Sequence, residues 1–200
     1  MKNLPNQFFY SKEEDRLNVI SHGIGFMLSI IGLIFLLNKG LQDFNLIRFL
    51  SFLIYGISLS TMYIASTLYH NSKTPEGRYK FRLFDMVSIY LLIAGSYTPF
   101  TLTVLIDSGG LTLFLLVWVI AFFGIIWKIF TVGSYNISST LLYIFMGGLW
   151  LFFIDAFINE IPQNALMWIY ASVSTYLIGV FFYLADSKIK YNHFIWHIFV

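Results

Sequence analysis

Cysteine is absent from the 200-residue chain. Neither a disulfide nor a thiolate ligand is available, so any metal site must be built from nitrogen and oxygen. Charge is scarce too: Asp, Glu, Lys and Arg make up 11% of residues and leave a formal net charge of +2. A soluble domain of this length needs far more polar surface, and so small a positive excess gives no grip on a nucleic acid. The opening MKNLPNQFFYSKEEDRLN mixes both charge signs and lacks an apolar core followed by a small-residue cleavage site, so it does not read as a signal peptide. No internal repeat, low-complexity tract or soluble domain is legible.

What remains is apolar. Hydrophobic residues are 58% of the chain, with a mean hydropathy of +0.75. A bilayer core takes about 20 such residues per helix, and six segments meet that length: 19–37, 46–69, 84–105, 111–130, 137–157 and 166–184. Between them lie NKGLQDFN, HNSKTPEGRYKFR, IDSGG, TVGSYN, INEIPQN and ADSKIKYN, which carry the loop chemistry. A seventh apolar run starts at His193 and has eight residues before the sequence ends. Those cover about 12 Å of a roughly 30 Å hydrocarbon core, so the last helix is read as a truncated span. The expected fold is all-α, a polytopic bundle of seven transmembrane helices, with residues 1–18 as a cytoplasmic arm and 19–200 as the bundle.

Basic residues orient it. Lys2, Lys12, Arg16, Lys73, Arg78, Lys80, Arg82, Lys128, Lys188 and Lys190 fall on one side, and only Lys39 and Arg48 on the other. The positive-inside rule then puts the amino terminus in the cytoplasm. This topology carries all four histidines, His22, His70, His193 and His197, to the inner leaflet, together with Asp85 at the expected start of the third span. Ionisable groups at such depth are functional candidates.

In HFIWH, His193 and His197 stand four apart and project from one helix face, so both can grip one ion. His70 would complete three ligands. Three protein ligands and one open position make the arrangement of a catalytic zinc rather than a closed structural one, and such an ion activates water near neutral pH. Phe194 follows His193, so the helix carries no HExxH base; Asp85 is the carboxylate at matching depth and is assigned to the water. Ser66, four residues before His70 in STLYH, shares its helix face and is placed as a hydrogen-bonding helper. Blander alternatives stand beside these assignments: histidines solvated by headgroups, Asp85 capping the third helix, and Ser66 bonding back to its own helix. His22 is either a fourth ligand or a supporting residue, and the second is preferred. Asp107, Asp155, Glu160 and Asp186 read as solvated loop-edge carboxylates, and Gly147 and Gly148 as a site of close helix packing.

The ordered motifs LNVISHGIGF, STLYH, FDMVSIYLLIAGSYTPF and HFIWH resemble the bacterial hemolysin III group of the progestin and adiponectin receptor (PAQR) superfamily, itself grouped with alkaline ceramidases. The resemblance extends over essentially the whole chain. It implies Zn2+ held by His70, His193 and His197, with Asp85 contacting the water on the zinc and Ser66 assisting. Met86 departs from that pattern, standing where relatives often carry His or Tyr, and the family's last helix continues past the point where this sequence stops. The implied function is a zinc-dependent intramembrane hydrolase of a lipid amide or ester in the bacterial cell membrane, with a membrane lipid as substrate. The alternative is a hemolysin-like pore-former, transporter or regulator of membrane permeability with a structural zinc. A pore is disfavoured because the spans lack a repeated polar stripe.

Overall fold

A computed structural model describes residues 10–42, 44–131, 136–185 and 189–200. Among these residues eight α-helices follow one another: α1 (Lys12–Leu41), α2 (Leu46–Asn71), α3 (Pro75–Pro99), α4 (Gly110–Thr131), α5 (Asn136–Gly147), α6 (Ile154–Glu160), α7 (Gln163–Leu184) and α8 (Asn192–Phe199). Among the described residues there is no strand. Among the described residues, six helical stretches are long and apolar enough to cross a membrane: Lys12–Leu41, Leu46–Asn71, Pro75–Val104, Gly110–Thr131, Ile137–Glu160 and Gln163–Leu184. The chain is a multi-pass helical membrane protein, and α8, which follows the sixth of these stretches, is short.

The helices outrun the apolar segments that announce them. Ser11 caps α1 by accepting from Glu14 N (3.2 Å), and Glu13, Glu14 and Asp15 occupy a first turn that favours negative charge. Lys12–Asn18 of the expected arm are therefore helical and continuous with the first span. Thr74 caps α3, with Pro75 at its first turn. The supposed loop HNSKTPEGRYKFR is thus mostly helix, and Asp85 does not begin the third helix but lies about three turns inside it. Lys2, Asp186 and Lys188 lie outside the described residues, as does most of TVGSYN.

α1 is inverted relative to a soluble helix. Its buried residues include Glu14, Asn18, His22 and Ser29, whereas Ile24, Met27, Leu28, Ile31, Ile34 and Phe35 are exposed. The apolar side suits lipid, and the polar side must find partners within the bundle, where no water competes. One such partner is Ser60, whose hydroxyl lies 2.9 Å from that of Ser29. Helices α1, α2, α3 and α4 pack in succession, and α8 fits between α7 and α1. A second core, centred on Tyr90, Ala94, Tyr97, Leu113, Val117 and Met146, joins α3 and α4 to α5.

Gly147 and Gly148 do not serve close packing: a side chain at Gly147 would meet nothing within 4 Å, and one at Gly148 only ordinary contacts. They end α5 instead, and a 3-10 turn over Leu149–Phe153 follows before α6. The carbonyls freed at this break are met by the Tyr97 hydroxyl, 3.0 Å from Met146 O and 2.8 Å from Gly147 O. Close approach occurs at Gly179 in α7, where a Cβ would fall 2.7 Å from Phe199 Cβ and 2.9 Å from the Trp196 ring. Gly179→Leu is expected to push α8 off α7 and lower stability by about 1–3 kcal/mol; thermal unfolding in detergent micelles measures it, and an unchanged midpoint would refute this seating.

Candidate metal centre

At one end of the bundle the start of α1, the end of α2, the first turns of α3 and the whole of α8 come together. The last of these is set by a sharp reversal. Tyr191 adopts φ +68°, a left-handed conformation uncommon for a residue with a side chain. Two bonds hold the turn: Asn192 Nδ2 donates to Ala185 O (3.1 Å), and the Tyr191 hydroxyl donates to Glu13 Oε2 on α1 (3.1 Å). From there the four-residue spacing sends His193 and His197 toward α1 and α2, while Trp196 and Phe199 face α7.

The structure brings His70, His193 and His197 together. One ligand-capable atom of each lies within 4.8 Å of the others, and all three residues are buried. Their ring centroids form a near-equilateral triangle with sides of 5.0, 4.9 and 4.7 Å. Ligands around a tetrahedral zinc at about 2.0–2.1 Å lie roughly 3.4 Å apart, so side-chain shifts of about an ångström would close this set on an ion. His70 Nε2 is buried and has no hydrogen-bond partner. Leaving such a nitrogen unsatisfied costs about 1–3 kcal/mol, and a coordinated cation would remove that cost. The donor set, three imidazoles and no thiolate, fits a borderline divalent ion.

The other nitrogen of each ring meets the amino-terminal part of the chain. His70 Nδ1 lies 2.9 Å from Asp15 Oδ1 and 3.3 Å from Asn18 Nδ2. His193 Nδ1 lies 2.9 Å from the Tyr10 hydroxyl, and the two rings stack with centroids 4.5 Å apart. His197 Nδ1 lies 3.4 Å from Ser21 Oγ. Asp15 in turn accepts from Arg78 Nη2 (2.6 Å). The fully buried Arg78 guanidinium also donates to Tyr69 O (3.0 Å) and His70 O (2.9 Å), capping the end of α2.

Asp85 is not among the atoms grouped within 4.8 Å. It is partly buried and lies near His193 and the Ser66 hydroxyl. Thr74, not Asp85, caps α3. Met86, next to it, is buried, and its carbonyl accepts from the Tyr143 hydroxyl (2.8 Å). His22 stands apart from the three. It stacks on His197 with centroids 3.6 Å apart and planes 13° off parallel, and neither of its ring nitrogens has a hydrogen-bond partner. Asp107, Asp155 and Glu160 are exposed.

Tyr10, Asp15, Asn18, Ser21 and Arg78 were not singled out from the sequence. A signal for part of this set was present: in DRLNVISH, Asp15, Asn18 and His22 recur at helical spacing where an apolar span begins.

This combination defines a multi-pass helical membrane protein with a buried cluster of histidines near one membrane face. The sequence model described as "Haemolysin-III related" matches residues 10–200. The chain is 38% identical over 188 residues to "Hemolysin-3" of Bacillus cereus, covering 94% of this chain and 85% of that protein. It is 35% identical over 191 residues to "Hemolysin-3 homolog" of Bacillus subtilis (strain 168), covering 96% and 89%. A more distant similarity, 29% over 156 residues, links it to "Monocyte to macrophage differentiation factor" of Homo sapiens, covering 74% of this chain and 63% of that one. No solved structure gives a significant match. The chain belongs to the haemolysin-III related family.

If the three imidazoles share an ion, detergent-purified protein should carry about one divalent metal per chain, and His70→Ala should lose it. Elemental analysis of both proteins after dialysis decides the matter; equal metal content in the two would exclude His70 as a ligand.

Proposed function

We propose that this protein is a membrane-embedded zinc hydrolase that cleaves an amide or ester bond in a lipid. The observation that carries this reading is the trio of buried imidazoles, which among the described residues converges without a fourth His, Cys, Asp or Glu in the same group. A site with three protein ligands and one open position is the catalytic form of zinc coordination. Bound there, zinc supplies Lewis acidity and an activated water at neutral pH.

The chain's own residues do the remainder. His70, His193 and His197 would hold the ion at this end of the bundle. Asp85, oriented by the Ser66 hydroxyl, takes a proton from the attacking water and returns it to the leaving group. Burial of all three histidines keeps bulk water away and strengthens every charge interaction there. The surrounding lipid-facing surface, with Ile24, Met27 and Leu28 exposed on α1, suits a substrate that arrives along the bilayer. The distribution of Lys and Arg supports a reading in which this end of the bundle lies in the cytoplasmic leaflet of the cell membrane.

A second reading rests on the word "Hemolysin-3" in the names of two relatives. It makes the protein a regulator of membrane permeability in which the metal is structural.

One experiment separates the two. Purified protein is given short-chain ceramide and ester lipids in micelles, with and without a chelator, and the same preparation is assayed for ion flux in proteoliposomes. The hydrolase reading expects chelator-sensitive turnover that falls at least about 100-fold in Asp85→Asn, the usual scale for losing a proton-transfer group. Turnover that persists in His70→Ala would end it, and flux insensitive to metal removal would support permeation instead.

A further inference from the structure

All three candidate ligands turn the same ring atom toward the same part of the chain. Asp15 meets His70 Nδ1, the Tyr10 hydroxyl meets His193 Nδ1, and Ser21 Oγ meets His197 Nδ1. These groups lie within α1 or just before it, so one element reaches three rings carried by two others. We infer that the Tyr10–Ser21 segment is the positioning scaffold of the metal centre, fixing each imidazole with its proton on Nδ1 so that Nε2 is the ligand atom. This rests on the metal reading above and assigns roles to residues outside the ligand set.

Hydrogen-bond direction supports the assignment at two of the three rings. An ionised carboxylate only accepts, so the 2.9 Å contact between Asp15 Oδ1 and His70 Nδ1 places the proton on that nitrogen; the longer 3.3 Å approach of the Asn18 amide agrees once its oxygen, otherwise without a partner, is turned to the ring. The nitrogen left over, Nε2, is the buried atom without a hydrogen-bond partner. Ser21 has a single hydroxyl proton, and it is donated to Asn18 O at 3.1 Å. Toward His197 Nδ1 the same oxygen can only accept, which again places the ring proton on Nδ1. A phenol can donate or accept, and at His193 the accepting role gives the same tautomer. A metal-binding histidine that hands its second N–H to a carboxylate or another oxygen gains both ring orientation and basicity.

Asp15 has a further part. Its carboxylate joins His70 to Arg78, and Arg78 holds the last carbonyls of α2. The backbone and the side chain of His70 are therefore fixed by the same ion pair. In the first turns of α3, Lys80 Nζ lies 2.8 Å from Glu76 Oε1 in an exposed ion pair. That pair involves neither an imidazole nor the turn before α8, so it provides the control.

The test measures metal affinity on full-length protein in detergent, by chelator competition for Zn2+ and by the visible spectrum of the Co2+-loaded form. Asp15→Asn should weaken Zn2+ binding about 10–100-fold, the usual cost of losing an oxygen partner behind a histidine ligand, and should shift the Co2+ bands. Tyr10→Phe and Ser21→Ala should weaken it by less, because neutral hydrogen bonds are about half as strong as charge-assisted ones. Glu76→Gln should leave affinity and spectrum at wild-type values. If Asp15→Asn does not fold, Tyr10→Phe carries the test, since its ring stacking survives the change. Wild-type affinity and spectrum in Asp15→Asn or Tyr10→Phe, or an equal loss in Glu76→Gln, would overturn the assignment while leaving the metal reading intact. Wild-type protein that binds no Zn2+ would overturn both.

Discussion

A buried imidazole offers a lone pair to an ion at least cost when its other nitrogen is hydrogen-bonded, and at His70 a carboxylate meets that condition. Asp15 lies between His70 and Arg78 and so ties α1, α2 and α3 together at a single point. In an apolar bundle an isolated carboxylate or guanidinium would be very costly to bury, whereas a paired and fully hydrogen-bonded set is tolerable. The inverted polarity of α1 follows from this constraint. Its polar stripe lies where partners exist, and its apolar stripe is left to the lipid.

The remainder of the bundle brings α8 to that point. Gly179 lets Trp196 and Phe199 lie close on α7, and the left-handed Tyr191 turns the chain so that His193 and His197 face inward. Asp85 and Ser66 approach from α3 and α2, near the cluster but outside it. Under the proposed function this arrangement would separate holding an ion from handling a proton: three nitrogens for the first task, one carboxylate for the second. His22, stacked on His197 with both nitrogens lacking a hydrogen-bond partner, is the one histidine that this division leaves without a task.

Composition and apolar length were enough to read the class of fold, because a bilayer imposes both. Helix ends were read less well. An apolar run marks the part of a helix that lies in hydrocarbon, and α1 and α3 extend past it through charged turns at Lys12–Asn18 and Pro75–Arg82. Their caps, Ser11 and Thr74 with Pro75, were legible as cap chemistry but were assigned to a loop and an arm. That misplacement put Asp85 at a helix start and hid Asp15 and Arg78, which occupy the extended turns. The glycine pair at 147–148 misled for a different reason. Two glycines are compatible with close packing or with a broken helix, and only the surrounding structure, with Tyr97 meeting the freed carbonyls, decides between them. Convergence of the three histidines could be anticipated because the order of the spans carries them to one end of the bundle, whereas tautomer and orientation depend on contacts that no spacing encodes.

Zinc K-edge X-ray absorption on the detergent-purified protein tests the central claim most directly, because it reads the atoms around the ion. The account expects three imidazole nitrogens at about 2.0–2.1 Å and one oxygen completing the tetrahedron. An all-oxygen environment, or protein that takes up no zinc, would contradict it.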